Sequence, residues 1–298
     1  MKRSIIHYLF FALLFGCTIG QSNETQLPYS DKFEIGQSIG ELDNSIVEAS
    51  GLVASRQNNG MLWTHNDSQG EPCIFLIDEK GDRKWTVCLD SIENRDWEDL
   101  AIQYDSTSNK NFIYIAEIGD NRAQFDTKYL YKIEEPKWNS SFLGGDTLIS
   151  EIDVLEFDFE DGRRDAETLI IDPVSSSFII VSKREKENRI YEGDLNTSKQ
   201  LLKMRGSLPY TLMVAGDVSL DGSEILLKNY SDIYYWQRTD LNQSLAECLI
   251  NRPYQRLKYK EEPQGESIAW KLDGSGFFTV SEVNDNKPVF VNFYKRAN

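Results

Sequence analysis

A unit of about fifty residues recurs along this chain and restricts its fold more than any other feature. Five segments share one pattern: an acidic residue, a small or polar one, then an apolar strand. They are Glu48-Ala49-Ser50-Gly51-Leu52-Val53, Glu98-Asp99-Leu100-Ala101-Ile102, Glu167-Thr168-Leu169-Ile170-Ile171, Asp217-Val218-Ser219-Leu220 and Glu266-Ser267-Ile268-Ala269-Trp270. Their acidic residues are 50, 69, 50 and 49 apart. Each segment is followed by a turn and a second β-rich run, as in Asn111 to Ala116, Phe178 to Ser182 and Phe277 to Ser281. Asn59-Gly60, Asp221-Gly222 and Asp273-Gly274 mark the turns. Third strands follow at Cys73 to Ile77, Tyr129 to Ile133, Arg189 to Glu192, Ile233 to Trp236 and Val289 to Phe293. Fourth strands are plain at Lys84 to Leu89 and Asp153 to Phe159, and fainter at Leu201 to Arg205 and Arg256 to Tyr259.

Short strands at even spacing, without helical periodicity, predict an all-β chain. Four strands per unit predict a single β-propeller of five four-stranded blades over residues 32–298. Six blades follow instead if two units have been merged, and a β-sandwich or β-helix is the competing fold. The last unit ends after its third strand, so Lys32 to Ser38 is expected to supply the fourth and close the ring with strands from both termini. The 69-residue unit carries an extra loop at about Pro136 to Leu148.

Residues 1–16 read as a leader. Lys2 and Arg3 precede an apolar run from Ile5 to Phe15, too short to span a bilayer as a mature helix. The run closes in Leu14-Phe15-Gly16-Cys17, which resembles a bacterial lipobox and implies acylation of Cys17; Phe15 is bulkier than is usual at its place. The competing reading is an ordinary signal peptide with an incidental cysteine. Residues 17–31 are polar and suit a tether. The expected location is the cell envelope, with the body held to a lipid bilayer by acyl chains on a periplasmic or cell-surface face. The formal net charge of −16 argues against nucleic acid, whose phosphates need a basic footprint.

Cys73 and Cys88 flank a hairpin with its turn near Lys80-Gly81. A cross-strand disulfide is open to them in an oxidising compartment, whereas a bulge at Gly81 would shift the register and part them. Cys248 reads as a buried thiol.

In a propeller the first strand of each blade lines the axis and the second runs antiparallel to it. The start of strand one and the end of strand two therefore meet at one mouth. This places Glu48, Glu98, Glu167, Asp217 and Glu266 together, with Asp96 and Asp165 two residues ahead on the same side of their strands. These seven are the candidate metal ligands. Asn66, Asp67, Asp120, Asn121, Lys183, Lys228 and Glu282, at or just past the ends of second strands, are the candidate ligand-binding groups. Crowded carboxylates need a cation, hydrogen bonds or raised pKa values. Hard oxygen donors suit Ca²⁺ or Mg²⁺, and with His7 and His65 the only histidines a His-rich zinc or iron site is excluded. The structural alternative is that each acid accepts hydrogen bonds from the backbone of the next blade. Lys183 and Lys228 either neutralise these acids or contact an anionic ligand.

The segments Glu48-Ala49-Ser50-Gly51-Leu52, Leu62-Trp63-Thr64-His65-Asn66-Asp67, Asn94-Arg95-Asp96-Trp97-Glu98-Asp99, Ile118-Gly119-Asp120-Asn121, Asp165-Ala166-Glu167-Thr168-Leu169 and Pro263-Gln264-Gly265-Glu266-Ser267-Ile268-Ala269 resemble those of a family of exported bacterial β-propeller proteins. That family is similar to the TolB-like and YncE-like propellers. The resemblance covers the chain from about residue 45 onward and implies the fold rather than a reaction. A looser likeness to calcium-dependent propeller phytases rests on the acidic mouth, without their full signature. No Gly-x-Ser-x-Gly elbow, Cys–His pair or P-loop is present. Three functions follow as expectations: binding of a small anionic ligand or envelope protein at the mouth, with Ca²⁺ as the bridging ion; a Ca²⁺-dependent hydrolase of a phosphate ester, lactone or glycan; or an envelope interaction scaffold.

Overall fold

The computed structural model describes residues 27–68, 70–139, 146–251, 253, 255–283 and 287–298. The leader, Cys17 and the tether up to residue 26 lie outside the described residues. The described chain is all-β, with one short helix. In chain order it runs β1 (Tyr29–Ser30) and β2 (Gln37–Glu41), then a first unit of β3 (Ala49–Ala54), β4 (Met61–Asn66), β5 (Cys73–Asp78) and β6 (Arg83–Leu89). The second unit holds β7 (Trp97–Asp105), β8 (Lys110–Glu117), β9 (Thr127–Glu134), β10 (Thr147–Ile149) and β11 (Asp153–Phe159). The third holds β12 (Ala166–Ile171), β13 (Ser177–Ser182), β14 (Arg189–Asp194) and β15 (Lys199–Ser207). The fourth holds β16 (Met213–Val218), β17 (Glu224–Asn229), β18 (Ile233–Gln237), α1 (Leu245–Ile250) and β19 (Gln255–Leu257), and the fifth β20 (Ala269–Trp270), β21 (Gly276–Thr279) and β22 (Phe290–Lys295).

Paired strands within each unit run antiparallel, and the tight turns between their first two strands carry the residues such turns demand; β10 leaves its unit to pair with β6, and α1 lies between β18 and β19. Gly222 and Gly274 sit at φ +77° and +69°, where a side chain would be strained, and Asp221 and Asp273 accept the amides of Ser223 and Ser275. Four sheets result, in the orders β10-β6-β5-β4-β3, β12-β13-β14-β15-β11-β9-β8-β7, β1-β19-β18-β17-β16 and β2-β22-β21-β20. The eight-stranded sheet joins the second and third units through parallel pairing of β11 with β15. Its end strands β7 and β12 pack on each other, so it nearly closes on itself. The strand completing the fifth unit is β2, with Gln37 opposite Phe293 and Glu41 opposite Phe290. It begins near the end of the expected Lys32–Ser38 segment, whose only earlier contact of this kind is a bridge from Phe33 to Arg296.

The first strands are buried along most of their length, and they pack in sequence: β3 on β7, β7 on β12, β12 on β16, β16 on β20 and β20 on β3. Alternate residues of each sheet face opposite sides, so each unit feeds two cores. In the third unit Leu169, Ile171, Ile180 and Tyr191 join a core with the second unit, while Ile170, Ile179, Val181 and Ile190 join one with the fourth. Five such clusters separate consecutive units, including one between the fifth and the first.

Cys73 lies directly opposite Cys88 on β5 and β6, and the two form a disulfide. The hairpin does contain a register shift between Leu76 and Ile77, but its effect is the reverse of the one expected. The extra residue on β6 moves Cys88, rather than Val87, opposite Cys73. Cys248 is a buried free thiol on α1.

Candidate functional site

The inner strands share a β-bulge near their start, and it decides which carboxylates meet. Pairing skips one residue between Ser50 and Leu52, Trp97 and Asp99, Ala166 and Thr168, and Met213 and Ala215. The skipped residues are Gly51, Glu98, Glu167 and Val214. In the fifth unit Ala269 faces Phe278, as Asp217 faces Leu226 and Ile170 faces Ile179, three residues past the bulge. Counting back places Glu266 at the same level, where it bridges to Ser50 of the first unit. A bulge re-aims the side chain it carries. Here it turns Glu98 and Glu167 into one space at the start of the inner strands, and Glu266 joins them there through Lys183.

The ends of second strands add to this space. Asp67 follows β4, Lys183 follows β13 and Glu282 lies beyond β21. Three overlapping sets each offer carboxylate oxygens within 4.8 Å of one another: Asp67, Glu266 and Glu282; Asp67, Asp96 and Glu98; Glu98, Asp165 and Glu167. The pairs Asp96/Glu98 and Asp165/Glu167 thus do share a side. Glu98, Asp165, Glu167 and Glu266 are all buried. Space for two of the acids depends on Gly119 in the loop after β8. A Cβ there would fall on Glu98 Oε1 and 2.5 Å from Asp96 Oδ2.

Burial and mutual repulsion set the protonation of the cluster. Burial, then the neighbouring acids Asp96, Glu266 and Glu48, push Asp67 up to about 8. Burial and Glu266 push Glu282 to about 9, and burial with Asp165 takes Asp96 to about 6. Glu98 and Glu167 are raised well above the usual carboxylate range, first by burial. Lys183 is the internal counter-charge. Its Nζ binds Glu167 Oε1 and lies 3.6 Å from Glu266 Oε1. Burial works against its charge, but these two carboxylates outweigh burial and raise its pKa. Arg184 Nε donates to Asp165 Oδ2 at 2.6 Å, and the Tyr230 hydroxyl donates to Glu266.

Of the five repeat acids Asp217 does not join, and Glu48 reaches Asp67 and Glu282 only from the exposed rim. Glu48 stands three residues before the bulge residue Gly51 and is exposed on the rim, its amide held by Asn66 Oδ1 at 3.1 Å. Asp217 stands three residues beyond Val214, towards the opposite end of the strand. It accepts the amides of Val218 and Trp270 at 2.8 and 2.7 Å, and burial raises it to about 7. There it lines a small cavity with Ala54, Arg56, Ile102, Ile171 and Trp270. In two of the five units the repeat's acidic residue therefore lies three positions away from the bulge level.

Several expected ligand-binding groups also have other tasks. Asp120 accepts the amides of Gln124 and Phe125 and the buried Lys128 ammonium at 3.0 Å, which pins its own loop. Asn121 is exposed beside it. Lys228 is fully buried, gives its Nζ to Gly265 O and lies over the Tyr259 ring; burial lowers it to about 8. Asn66 holds the rim through Glu48 and Asn94. Gly119, Arg184 and Tyr230, which the repeat also brings to this end of the second strands but which are not among the candidate ligands, take part as well. Arg184 and Tyr230 lie just past the ends of β13 and β17, so their position along the repeat was the available signal.

Hydrogen bonding to the next unit does occur at other acids. Asp99 Oδ2 accepts the Leu169 amide at 2.9 Å across the β7–β12 contact, as Asp217 accepts that of Trp270 across β16–β20. His65 is buried with Nδ1 2.9 Å from Asn66 O, its ring edge-on to Trp97, and burial lowers it to about 4. In comparisons with known proteins, the chain matches no family model and no curated protein.

Proposed function

We propose that this chain is a five-bladed β-propeller, lipid-anchored in the cell envelope, whose acidic mouth holds Ca²⁺ and through it a small anionic ligand or an envelope protein. The cyclic packing of β3, β7, β12, β16 and β20 and the five inter-unit cores support the propeller reading. The observation that carries the cation reading is Glu98. Its side chain is buried, makes no hydrogen bond or ion pair among the described residues, and lies within 4.8 Å of the carboxylates of Asp67 and Asp96. An unpaired buried carboxylate is costly, and a hard cation with oxygen ligands removes that cost. Three carboxylates leave coordination positions for water or for an oxygen of an anionic ligand.

The direction of β1 bears on how such a mouth sits on a membrane. β1 runs parallel to β19, and β19 runs towards the mouth end, as β17 does. The N-terminal end of β1 therefore points towards the opposite end of its sheet, which favours a mouth turned away from the bilayer. A second reading, a Ca²⁺-dependent hydrolase of a phosphate ester, lactone or glycan, is favoured by the same Asp67, Asp96 and Glu98 set, because a cation held there with open positions would polarise an ester or phosphoryl oxygen. Thermal unfolding tests the cation reading. Millimolar CaCl₂ raises the Tm of the wild-type chain, and Glu98→Gln abolishes the rise. No Ca²⁺-dependent shift in the wild type rejects it. Turnover of generic phosphate or ester substrates that requires Ca²⁺ selects the hydrolase.

A further inference from the structure

The three overlapping carboxylate sets are not equivalent, because two of them already contain a cation. In the set of Glu98, Asp165 and Glu167, Arg184 is bound to Asp165 and Lys183 to Glu167. In the set of Asp67, Glu266 and Glu282, Lys183 stands beside Glu266, which also receives the Tyr230 hydroxyl, and the Gln264 amide donates to Glu282. The remaining set, Asp67, Asp96 and Glu98, has no ion pair and no side-chain hydrogen bond among the described residues. Glu98 is only 3 % exposed, and Asp67 Oδ1 is buried without a partner.

The position of Lys183 is itself built. Its ammonium lies 5.3 Å from the centre of the Tyr230 ring, a cation–π contact, and between the carboxylates of two different units. It fills the space between Glu167 and Glu266. Glu167 Oε2 is buried and unpartnered even with Lys183 present.

We propose that the mouth seats one divalent cation, on Asp67, Asp96 and Glu98, and that Lys183 is a resident second cation that excludes another metal from Glu167 and Glu266. This rests on the cation reading above and sharpens it into a stoichiometry and a location. Removal of the ammonium frees Glu167 and Glu266. Together with Glu98, which belongs to both halves, they then present a second set of hard oxygen donors.

Calcium titration calorimetry and Tb³⁺ luminescence sensitised by Trp97, the residue between Asp96 and Glu98, count the ions on the full folded chain. The wild type takes one ion per chain. Asp67→Asn and Glu98→Gln each weaken it by about tenfold or more, and Glu266→Gln weakens it less. Lys183→Met, which keeps the aliphatic stem, takes two ions. Two ions in the wild type, or one ion at unchanged affinity in Lys183→Met, overturns the proposal while leaving the cation reading intact. No ion in the wild type removes both. Should Lys183→Met fail to fold by circular dichroism, the wild-type count and the Glu98→Gln against Glu266→Gln comparison still decide. Equal weakening by those two variants overturns the placement.

Discussion

Gly119→Ala separates the site from the fold more cleanly than removal of a ligand does. Gly119 has no positive φ, so an alanine meets no backbone strain there. The added Cβ instead falls on Glu98 Oε1 and 2.5 Å from Asp96 Oδ2, well inside the ~3.5 Å of ordinary contact. Each carboxylate must retreat by about 1 Å, and a coordinating group has a tolerance nearer ~0.5 Å. The atoms that move are side-chain tips, so the stability of the cation-free protein should fall by less than about 1 kcal/mol. Calcium affinity should fall about 10- to 100-fold, or roughly 1.4–2.8 kcal/mol, with no ligand deleted. Titration calorimetry on wild type and variant at equal pH and ionic strength measures this, with thermal unfolding in EDTA as the control. Wild-type affinity in Gly119→Ala would refute the placement of the ion against Asp96 and Glu98. Lost affinity with a collapsed Tm in EDTA would refute the claim that only the side chains yield.

Three further outcomes are expected. Cys17→Ala should move the expressed protein from the membrane to the soluble fraction on ultracentrifugation; unchanged partition removes the lipid anchor. The buried Arg238–Asp172 pair, bonded at 2.9 and 3.0 Å, ties the fourth unit to the third, and Arg238→Met strands the carboxylate, so chemical denaturation should show a loss of about 3–5 kcal/mol. Asp67 and Glu282, raised to about 8 and 9, hold protons in the fold that the unfolded chain releases near pH 4. Their contribution is therefore complete below pH 4 and lost as pH rises through 8 to 9, so the unfolding free energy in EDTA should fall across pH 4 to 9, by at most about 1.4 kcal/mol per pH unit for each group, and the Tm should fall with it. Calcium should remove most of that slope, which differential scanning fluorimetry across the range reads directly.

The strand content and the grouping into units were legible because apolar runs bounded by Asp-Gly and Asn-Gly turns have one economical reading. The bulge was not legible. It interrupts pairing without interrupting the apolar pattern, so the sequence marks the acid nearest each strand as its start. That choice is right for Glu98, Glu167 and Glu266. It fails where the bulge position is Gly51 or Val214, and there it selects Glu48 and Asp217 instead. The parallel pairings were equally hidden. β10 joins β6 of the first unit and β11 joins β15 of the third, and no local pattern specifies a partner that distant. The helix α1 had a signal that the β-periodicity obscured: Ser244 and Glu247 form a reciprocal capping box, with both hydrogen bonds at 3.1 Å.

The ring itself supplies a control for the role of its carboxylates. Asp99 and Asp217 also lie on inner strands, and each accepts two backbone amides, one of them from the next unit. Their burial is offset by hydrogen bonds, and stitching the ring accounts for them. Glu98 receives no such donor, and the second oxygen of Glu167 receives none either. Packing does not demand acids at that level, because the residue at the equivalent bulge of the fourth unit is Val214, fully buried. An apolar side chain therefore fits the position, and it avoids the desolvation that the carboxylates incur. Ring closure needs neither the three acids at this level nor the Gly119 that makes room for one of them. The cation proposed at the mouth gives both a physical reason.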